Sequence, residues 1–311
     1  MNGSQLLPIN IADVVRTAAT VGGPVQGTAL DKSMRRAGIM AITHSALVGF
    51  RRNQSLQTTQ LYQELETTEK SGVSFRLGMA FAVIACEHVL GVKLLEHLNR
   101  ANSLLATGSQ RRADLFGIGH SGECHVVEAK SRTYGLSKEA VDRAKEQALN
   151  IKAVLRNGNA LIPDTRSASI ADLSRSPISI FLIDPEPRQP PKASFEIDLE
   201  QFIADHYSVV PDLLEIYGEP QAPPENLPMD AIGAYLPGTN FWLGIDPSLI
   251  ERSSLTWQER LEQREALPLD VAKSPELSVG TDGHVLHLGN HLSHIYRAWD
   301  DSPERASEEE N

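Results

Sequence analysis

The feature of this sequence that most constrains its fold is a pair of short apolar runs, at residues 113–119 and 123–129. The three residues that separate them, His120-Ser121-Gly122, include a glycine, and this pattern is typical of a β-hairpin with a short loop. A three-residue loop places Gly119 opposite Glu123, which sets the register of both strands. The sequence therefore predicts an antiparallel hairpin whose facing residues can be named in advance.

In this register Phe116 opposes Val126, and Asp114 opposes Glu128. Because side chains alternate along a strand, Asp114, Glu128 and Lys130 share one face of the sheet. Two carboxylates ~5 Å apart repel each other by roughly 3 kcal/mol at an effective dielectric constant near 20. A shared proton or a cation between the carboxylates would relieve this repulsion. The hairpin therefore predicts a site for a cation, with Lys130 supplying part of the positive charge.

The remaining residues of the hairpin are apolar on both faces, as expected for a sheet that is covered on both sides. We therefore predict an α/β fold with a mixed sheet of about four or five strands. Periodicity predicts a short helix within 1–30, further helices at 31–51, 56–70, 74–101 and 137–156, and a strand at 178–183 that should pair in parallel after a crossover helix. The residues from Glu196 to Tyr207 are predicted to form a helix or a strand followed by a helix.

The best candidate for a domain boundary is the proline-rich stretch 218–228. Beyond it the sequence predicts a strand at 240–245, a helix at 256–266 and a hairpin around 280–283. The predicted organisation comprises an N-terminal helical region (1–72), a core (73–217), a small C-terminal α+β extension (230–300) and an acidic tail (301–311).

Asp114, followed by Glu128-Ala129-Lys130 at the end of the next strand, resembles the motif of the PD-(D/E)XK nuclease superfamily. The resemblance covers residues 73–187, and Ala113 stands where the motif has proline. It implies a restriction endonuclease-like fold and metal-dependent hydrolysis of DNA, with RNA not excluded. Asp114, Glu128 and Lys130 would be the catalytic residues, and Asp114 and Glu128 would hold Mg²⁺ or Mn²⁺. An exposed hairpin, in which Lys130 only neutralises two surface carboxylates, is the alternative.

Glu87 is the anomalous residue of the predicted helix 74–101, because its helical position lies on the apolar side. A carboxylate in such surroundings is costly unless it is paired or bound to a metal. The resemblance implies a third metal ligand at this position, whereas an ion pair with Arg76 is the alternative. It also makes Gln147 a candidate near the metal, against the alternative of a surface glutamine. The candidates for contacts with nucleic acid are Arg111, Arg112, Ser131 and Arg132.

The charge of the chain is distributed unevenly. Residues 1–160 carry 19 Lys and Arg against 13 Asp and Glu, whereas residues 161–311 carry 10 against 27. A basic half that contains the hairpin suits a polyanionic substrate, and Arg35, Arg36, Arg51 and Arg52 are further candidates to approach it. The acidic half is interpreted as solvated surface, or as a cover for the basic half or for a partner.

Four histidines near the C-terminus, at positions 284, 287, 291 and 294, raise the question of a zinc site. His284 and His287 lie on a predicted strand, where their odd separation places them on opposite faces. Ordinary hairpin histidines are therefore the preferred interpretation.

The two cysteines, Cys86 and Cys124, lie in apolar runs and are expected to be reduced and buried. The N-terminus has no basic segment ahead of an apolar one, and the longest apolar run, 77–86, is too short to span a bilayer. These features predict a cytoplasmic protein with no membrane partner.

The alternative function is that of a nuclease-fold module that binds DNA or a protein without catalytic turnover. The sequence leaves open whether the chain forms a homodimer or binds a partner protein.

Overall fold

The computed structural model describes residues 6–23, 26–50, 55–98, 104–107, 113–120, 122–156, 159–185, 193–225, 227–251, 255–263 and 276–289. The described helices are α1 (Ile11–Thr20), α2 (Ala29–Ser45), α3 (Gln60–Glu64), α4 (Thr67–Leu90), α5 (Lys138–Leu149), α6 (Leu199–Tyr207), α7 (Val209–Tyr217), α8 (Ser248–Glu251) and α9 (Trp257–Gln263). The described strands are β1 (Leu47–Phe50), β2 (Ser55–Thr58), β3 (Val92–His97), β4 (Leu104–Thr107), β5 (Leu115–Gly119), β6 (Cys124–Arg132), β7 (Ile151–Arg156), β8 (Asn159–Leu161), β9 (Thr165–Asp172), β10 (Ser179–Ile183), β11 (Ala193–Ile197), β12 (Ile232–Tyr235), β13 (Trp242–Ile245), β14 (Leu277–Val279) and β15 (His284–His287).

The central sheet has five strands in the order β10-β9-β6-β5-β3. Strands β3, β5 and β6 pair antiparallel, β6 and β9 pair parallel, and β10 closes the other edge antiparallel. Apolar residues of α4 pack against Val127 and Ala129 on one face. On the other face, residues of α5 pack against Ala168 and Ile170 of β9. The predicted mixed α/β sheet of four or five strands, covered on both faces, is confirmed.

Capping residues explain where the first helices begin. The side chains of Asn10 and Thr28 each accept a hydrogen bond from the backbone N–H three residues later. The side chains of Asp13 and Asp31 accept one from the cap N–H in return, so that both helices start with a capping box. Helix α4 ends at Gly91, which adopts a left-handed conformation with φ of 64°. Glycine is the residue best suited to this conformation, and its position explains why the chain leaves the helix there.

Two predicted helices are too long because a strand follows each of them directly. The prediction for 74–101 is wrong beyond Leu90, since residues 92–97 form the edge strand β3 of the central sheet. The prediction for 137–156 is wrong beyond Leu149, since residues 151–156 form β7 in a second sheet. Both segments are apolar and short, and for such segments pairing with a neighbouring strand outweighs local helix propensity.

The predicted helix 31–51 also ends early, at Ser45, and is followed by β1. The segment 56–70 divides between β2, α3 and the start of α4, so the prediction of one helix there is wrong. The strand predicted at 178–183 exists as β10, but it pairs antiparallel with β9. The parallel partner of β6 is β9, at residues 165–172, which the sequence pattern did not reveal.

The other described strands form three further sheets, with the strand orders β1-β2, β4-β11-β7-β8 and β12-β13-β15-β14. One apolar core extends through the described residues from Ile9 on the N-terminal side to Leu288 on the C-terminal side. The segments predicted as separate regions, 1–72, 73–217 and 230–300, therefore contribute to a common core. The predicted acidic tail, 301–311, lies outside the described residues.

Helix α4 is long and apolar enough to cross a membrane by composition, but 72% of its most apolar window is buried inside the protein. This burial is what a core helix of a soluble protein shows. Cys86 and Cys124 are free and buried, as predicted.

Candidate active site

The hairpin β5–β6 has the register predicted from its loop. Phe116 pairs with Val126, and the N–H of Gly119 donates a hydrogen bond to the carbonyl oxygen of Glu123 at 2.8 Å. Asp114 directly precedes β5 and therefore faces Glu128 across the hairpin. The prediction that these two carboxylates oppose each other is confirmed.

The backbone of β6 holds the Asp114 carboxylate in place. Its Oδ2 atom accepts a hydrogen bond from the N–H of Ala129 at 3.1 Å. The carbonyl oxygen of Asp114 accepts another from the N–H of Leu98, at 2.9 Å. The Asp114 side chain is half-buried. Because the Ala129 amide fixes Oδ2, the position of the other carboxylate oxygen, Oδ1, is also restricted. This arrangement fixes the position of the Asp114 carboxyl group at the end of the hairpin.

Glu128 is completely buried, with 0% of its surface exposed. Its Oε1 atom forms an ion pair with the Lys130 ammonium group, whose side chain is 30% exposed. Apart from this ion pair, neither oxygen of Glu128 accepts a hydrogen bond from the described residues. Burial raises the pKa of Glu128 to about 8; the nearby Asp114 carboxylate raises it further, and Lys130 opposes both. At neutral pH the pair therefore retains a proton unless a cation replaces it.

The packing around Glu128 leaves its face of the sheet partly open at the Lys130 end. In the parallel register Ala168 pairs with Glu128 and Ile170 pairs with Lys130. Both β9 residues are covered by Ala144 and Ala148 of α5, among other apolar side chains. On the opposite face α4 approaches the backbone closely, since a Cβ atom at Gly78 would lie 3.0 Å from the Lys130 carbonyl carbon. Strand β6 therefore lies between α4 and α5, Glu128 faces the α5 side, and the partly exposed Lys130 borders solvent.

Glu87 is not placed with this pair, contrary to the expectation of a third metal ligand. Its Oε2 atom contacts Arg16 at 3.4 Å, and its Oε1 atom accepts a hydrogen bond from the Thr281 hydroxyl at 3.3 Å. Burial raises the pKa of Glu87 to about 7, the Arg16 guanidinium opposes this shift, and Asp282 adds to it. The alternative of a paired, buried glutamate was the better one, although the partner is Arg16 and not Arg76.

The residues predicted to contact nucleic acid are partly described. Ser131 and Arg132 are half-buried at the end of β6, where they pair with Ala171 and Asp172 of β9. The Nε atom of Arg132 is buried and has no hydrogen-bond partner among the described residues. Gln147 lies half-buried on α5. Arg111 and Arg112, like Arg51 and Arg52, lie outside the described residues.

The uneven charge distribution has a structural counterpart. Arg36 is completely buried and donates to Asp212 at 2.6 Å, and Lys32 forms an ion pair with the same carboxylate. Arg16 contacts Asp282 at 3.4 Å. The acidic half therefore neutralises part of the basic half inside the protein, and Arg36 is not available to a substrate. Arg35 remains exposed on α2.

The four C-terminal histidines do not form one described cluster. His284 is completely buried, whereas His287 lies on the other face of β15 and is half-buried, as the odd spacing predicted. His291 and His294 lie outside the described residues. His284 instead meets His206 and Asp282, a combination that no local sequence pattern indicates because His206 lies 76 residues before Asp282.

Comparison with known protein families, curated proteins and solved structures gives no match to this chain. The fold and the site together define an α/β protein in which a buried glutamate, a half-buried aspartate and a lysine meet at the end of a hairpin. The functional argument therefore depends on this geometry.

Proposed function

We propose that this protein is a metal-dependent nuclease that hydrolyses phosphodiester bonds in DNA. The observation that carries the proposal is the convergence of Asp114, Glu128 and Lys130 on one face of the hairpin. Two carboxylates and a lysine at this spacing are the groups required for hydrolysis of a phosphodiester beside a divalent cation. The resemblance to the PD-(D/E)XK motif, with Ala113 in place of its proline, is a further reason for the proposal.

The donor set fits Mg²⁺ or Mn²⁺. These ions prefer oxygen ligands, and Mg²⁺ is usually held by one or two carboxylates together with substrate phosphates and waters. Both oxygens of Glu128 are buried, and its only contact with a cationic group among the described residues is the ion pair of Oε1 with Lys130. The Ala129 amide fixes the orientation of the facing Asp114 carboxylate. A cation here would replace the proton that the pair otherwise retains.

The three side chains have distinct roles in this proposal. Asp114 and Glu128 hold the ion, and the Ala129 N–H keeps the Asp114 carboxylate in a fixed orientation. The chemistry supplied by a bound Mg²⁺ is activation of a water nucleophile and neutralisation of charge on the phosphate. Lys130, which is partly exposed, places its ammonium group beside the scissile phosphate and stabilises the charge that develops there.

The topology supports the same proposal. Helix α4 precedes the hairpin β5–β6, with β3 and β4 between them. Helix α5 follows the hairpin, and β9, which comes after β7 and β8, pairs in parallel with β6. Strand β3 adds an antiparallel edge next to β5. We include in this proposal that the fold is restriction endonuclease-like. We also propose that the protein is located in the cytoplasm.

DNA is the proposed substrate because the half of the sequence that contains the hairpin, residues 1–160, carries 19 Lys and Arg against 13 Asp and Glu. Ser131 and Arg132 directly follow Lys130 on β6 and are half-buried, so they are candidates to contact a phosphate next to the proposed site. RNA presents the same phosphate chemistry, so the experiment must include both nucleic acids.

The test is incubation of the purified chain with plasmid, linear and single-stranded DNA, and with RNA, in the presence of Mg²⁺, Mn²⁺ or EDTA. We expect cleavage of DNA with either ion and none with EDTA. Lys130→Ala should abolish cleavage, whereas Lys138→Ala on the exposed side of α5 should not. Metal-dependent DNA binding without cleavage by the wild type would favour the alternative of a binding module. Cleavage that persists in Lys130→Ala would refute the site.

A further inference from the structure

A second cluster of metal-binding side chains lies in the core, apart from the hairpin pair. It brings together His206 from α6, Asp282 from the turn between β14 and β15, and His284 from β15, all of them buried. The Nε2 atom of His206 lies 2.9 Å from the Oδ2 atom of Asp282, and the Nδ1 atom of His284 lies 2.8 Å from the same oxygen. The three candidate ligand atoms all lie within 4.8 Å of one another.

The residues around these three side chains fix their orientation. The other ring nitrogen of His206, Nδ1, lies 3.0 Å from Oε2 of Glu96. Glu96 is itself held, because its Oε1 atom accepts hydrogen bonds from the N–H groups of Gly22 at 2.6 Å and His97 at 2.7 Å. A carboxylate that orients the second nitrogen of a ligating histidine is the usual outer contact of a metal site.

Asp282 is oriented in the same manner. Its Oδ1 atom contacts Arg16 at 3.4 Å and accepts a hydrogen bond from the N–H of His284 at 3.1 Å, which leaves Oδ2 directed between the two imidazoles. The carbonyl oxygen of Asp282 accepts a hydrogen bond from the Tyr207 hydroxyl at 2.8 Å. The ring of Tyr207 stacks on the ring of His284, with centroids 5.3 Å apart.

The charges around this cluster indicate that it is suited to a cation. Four carboxyl groups, those of Asp13, Glu87, Glu96 and Asp282, lie in one buried network with the guanidinium of Arg16 and the imidazoles of His206 and His284.

We propose that His206, Asp282 and His284 form a binding site for a divalent transition metal of the zinc class. Two imidazole nitrogens and one carboxylate oxygen suit Zn²⁺ better than Mg²⁺, which requires oxygen ligands. The ion would replace the protons that bridge Asp282 to the two rings. Zn–ligand bonds of ~2.1 Å place tetrahedral ligands ~3.4 Å apart, so the contacts of 2.8 and 2.9 Å need to widen by only about half an ångström.

The consequence of this site is structural. The ion would join α6 to the β14–β15 turn, and Glu96 would connect both to β3 of the central sheet. Its ligands are 76 residues apart at His206 and Asp282, so the unfolded chain does not present them together. The binding free energy of the ion would therefore contribute to the stability of the fold. This site does not depend on the proposed nuclease activity.

The test begins with metal analysis of the full-length chain, purified without a histidine tag and stripped with a chelator. We expect it to bind one Zn²⁺ per chain in equilibrium dialysis, with a higher melting temperature than in chelator. Cobalt should bind in its place and give the visible absorption of a tetrahedral site with nitrogen and oxygen ligands. His284→Gln should lose both the zinc and the cobalt absorption, and Glu96→Gln should weaken binding by about 10–100-fold.

Two control variants separate this site from the rest of the chain. His287→Gln changes the half-buried histidine on the other face of β15, and it should retain zinc binding. Glu128→Gln changes the hairpin pair and should also retain it. Zinc binding by wild type no greater than that of His284→Gln would overturn the proposal. If His284→Gln does not fold, the absence of a tetrahedral cobalt spectrum in the wild-type protein would overturn it equally.

Discussion

Replacing Glu128 by glutamine should stabilise the metal-free protein and should do so in a pH-dependent manner. The folded protein raises the pKa of Glu128 from 4.5 to about 8, because the side chain is buried and lies beside Asp114. Between these pH values the folded state binds more protons than the unfolded state, so stability falls as pH rises. At pH 7 the penalty is about 3 kcal/mol, at about 1.4 kcal/mol for each pH unit above 4.5.

Glutamine has a similar shape and no charge to bury, so the variant avoids this penalty. The pKa of about 8 already includes the attraction to Lys130, so the loss of that ion pair needs no separate allowance. We therefore expect the variant to be more stable than wild type by about 3 kcal/mol at pH 7 and by less than about 1 kcal/mol near pH 5. Below pH 4.5, where both states are protonated, the difference should vanish.

The assay is urea unfolding in the presence of EDTA at several pH values between about 5 and about 8.5, a range that spans the shift of the Glu128 pKa, followed by circular dichroism. Glu146→Gln, on the exposed face of α5, is the matched control and should show no such trend. Equal stability of Glu128→Gln and wild type at pH of about 8 would refute the claim that a buried, repelled carboxylate occupies this position.

Three further outcomes follow from the same contacts. Asp114→Asn should abolish DNA cleavage while leaving the fold intact, and Asp142→Asn on α5 should leave cleavage unchanged; near-normal cleavage by the first variant would contradict the site. Millimolar Mg²⁺ or Mn²⁺ should raise the melting temperature of wild type by mass action but not that of Glu128→Gln, which a thermal scan with and without EDTA would measure. Deletion of 219–311 should unfold the chain, because it removes Leu243, Ile245 and Leu286 from the common core and takes Asp282 away from Arg16. A truncated chain with a native circular dichroism spectrum would show that the proline-rich stretch is a true domain boundary.

The sequence alone was sufficient to predict the hairpin, its register and the two carboxylates that face each other across it. A short loop with glycine and the two-residue period of a strand are local properties, so they determine which side chains face each other. The placement of Asp114, Glu128 and Lys130 on one face therefore follows from residue spacing. The burial of both cysteines followed from the same local reasoning.

Only the tertiary structure decided which short apolar segments became strands and which distant polar groups met. Residues 92–97 and 151–156 are compatible with either helix or strand, and the available pairing edge selects between them. Glu87 was recognisable as a costly buried carboxylate, but its partner Arg16 lies 71 residues earlier. His206 and His284 meet at Asp282 for a similar reason. Contacts at such separations arise from the packing of the whole chain, and no local pattern encodes them.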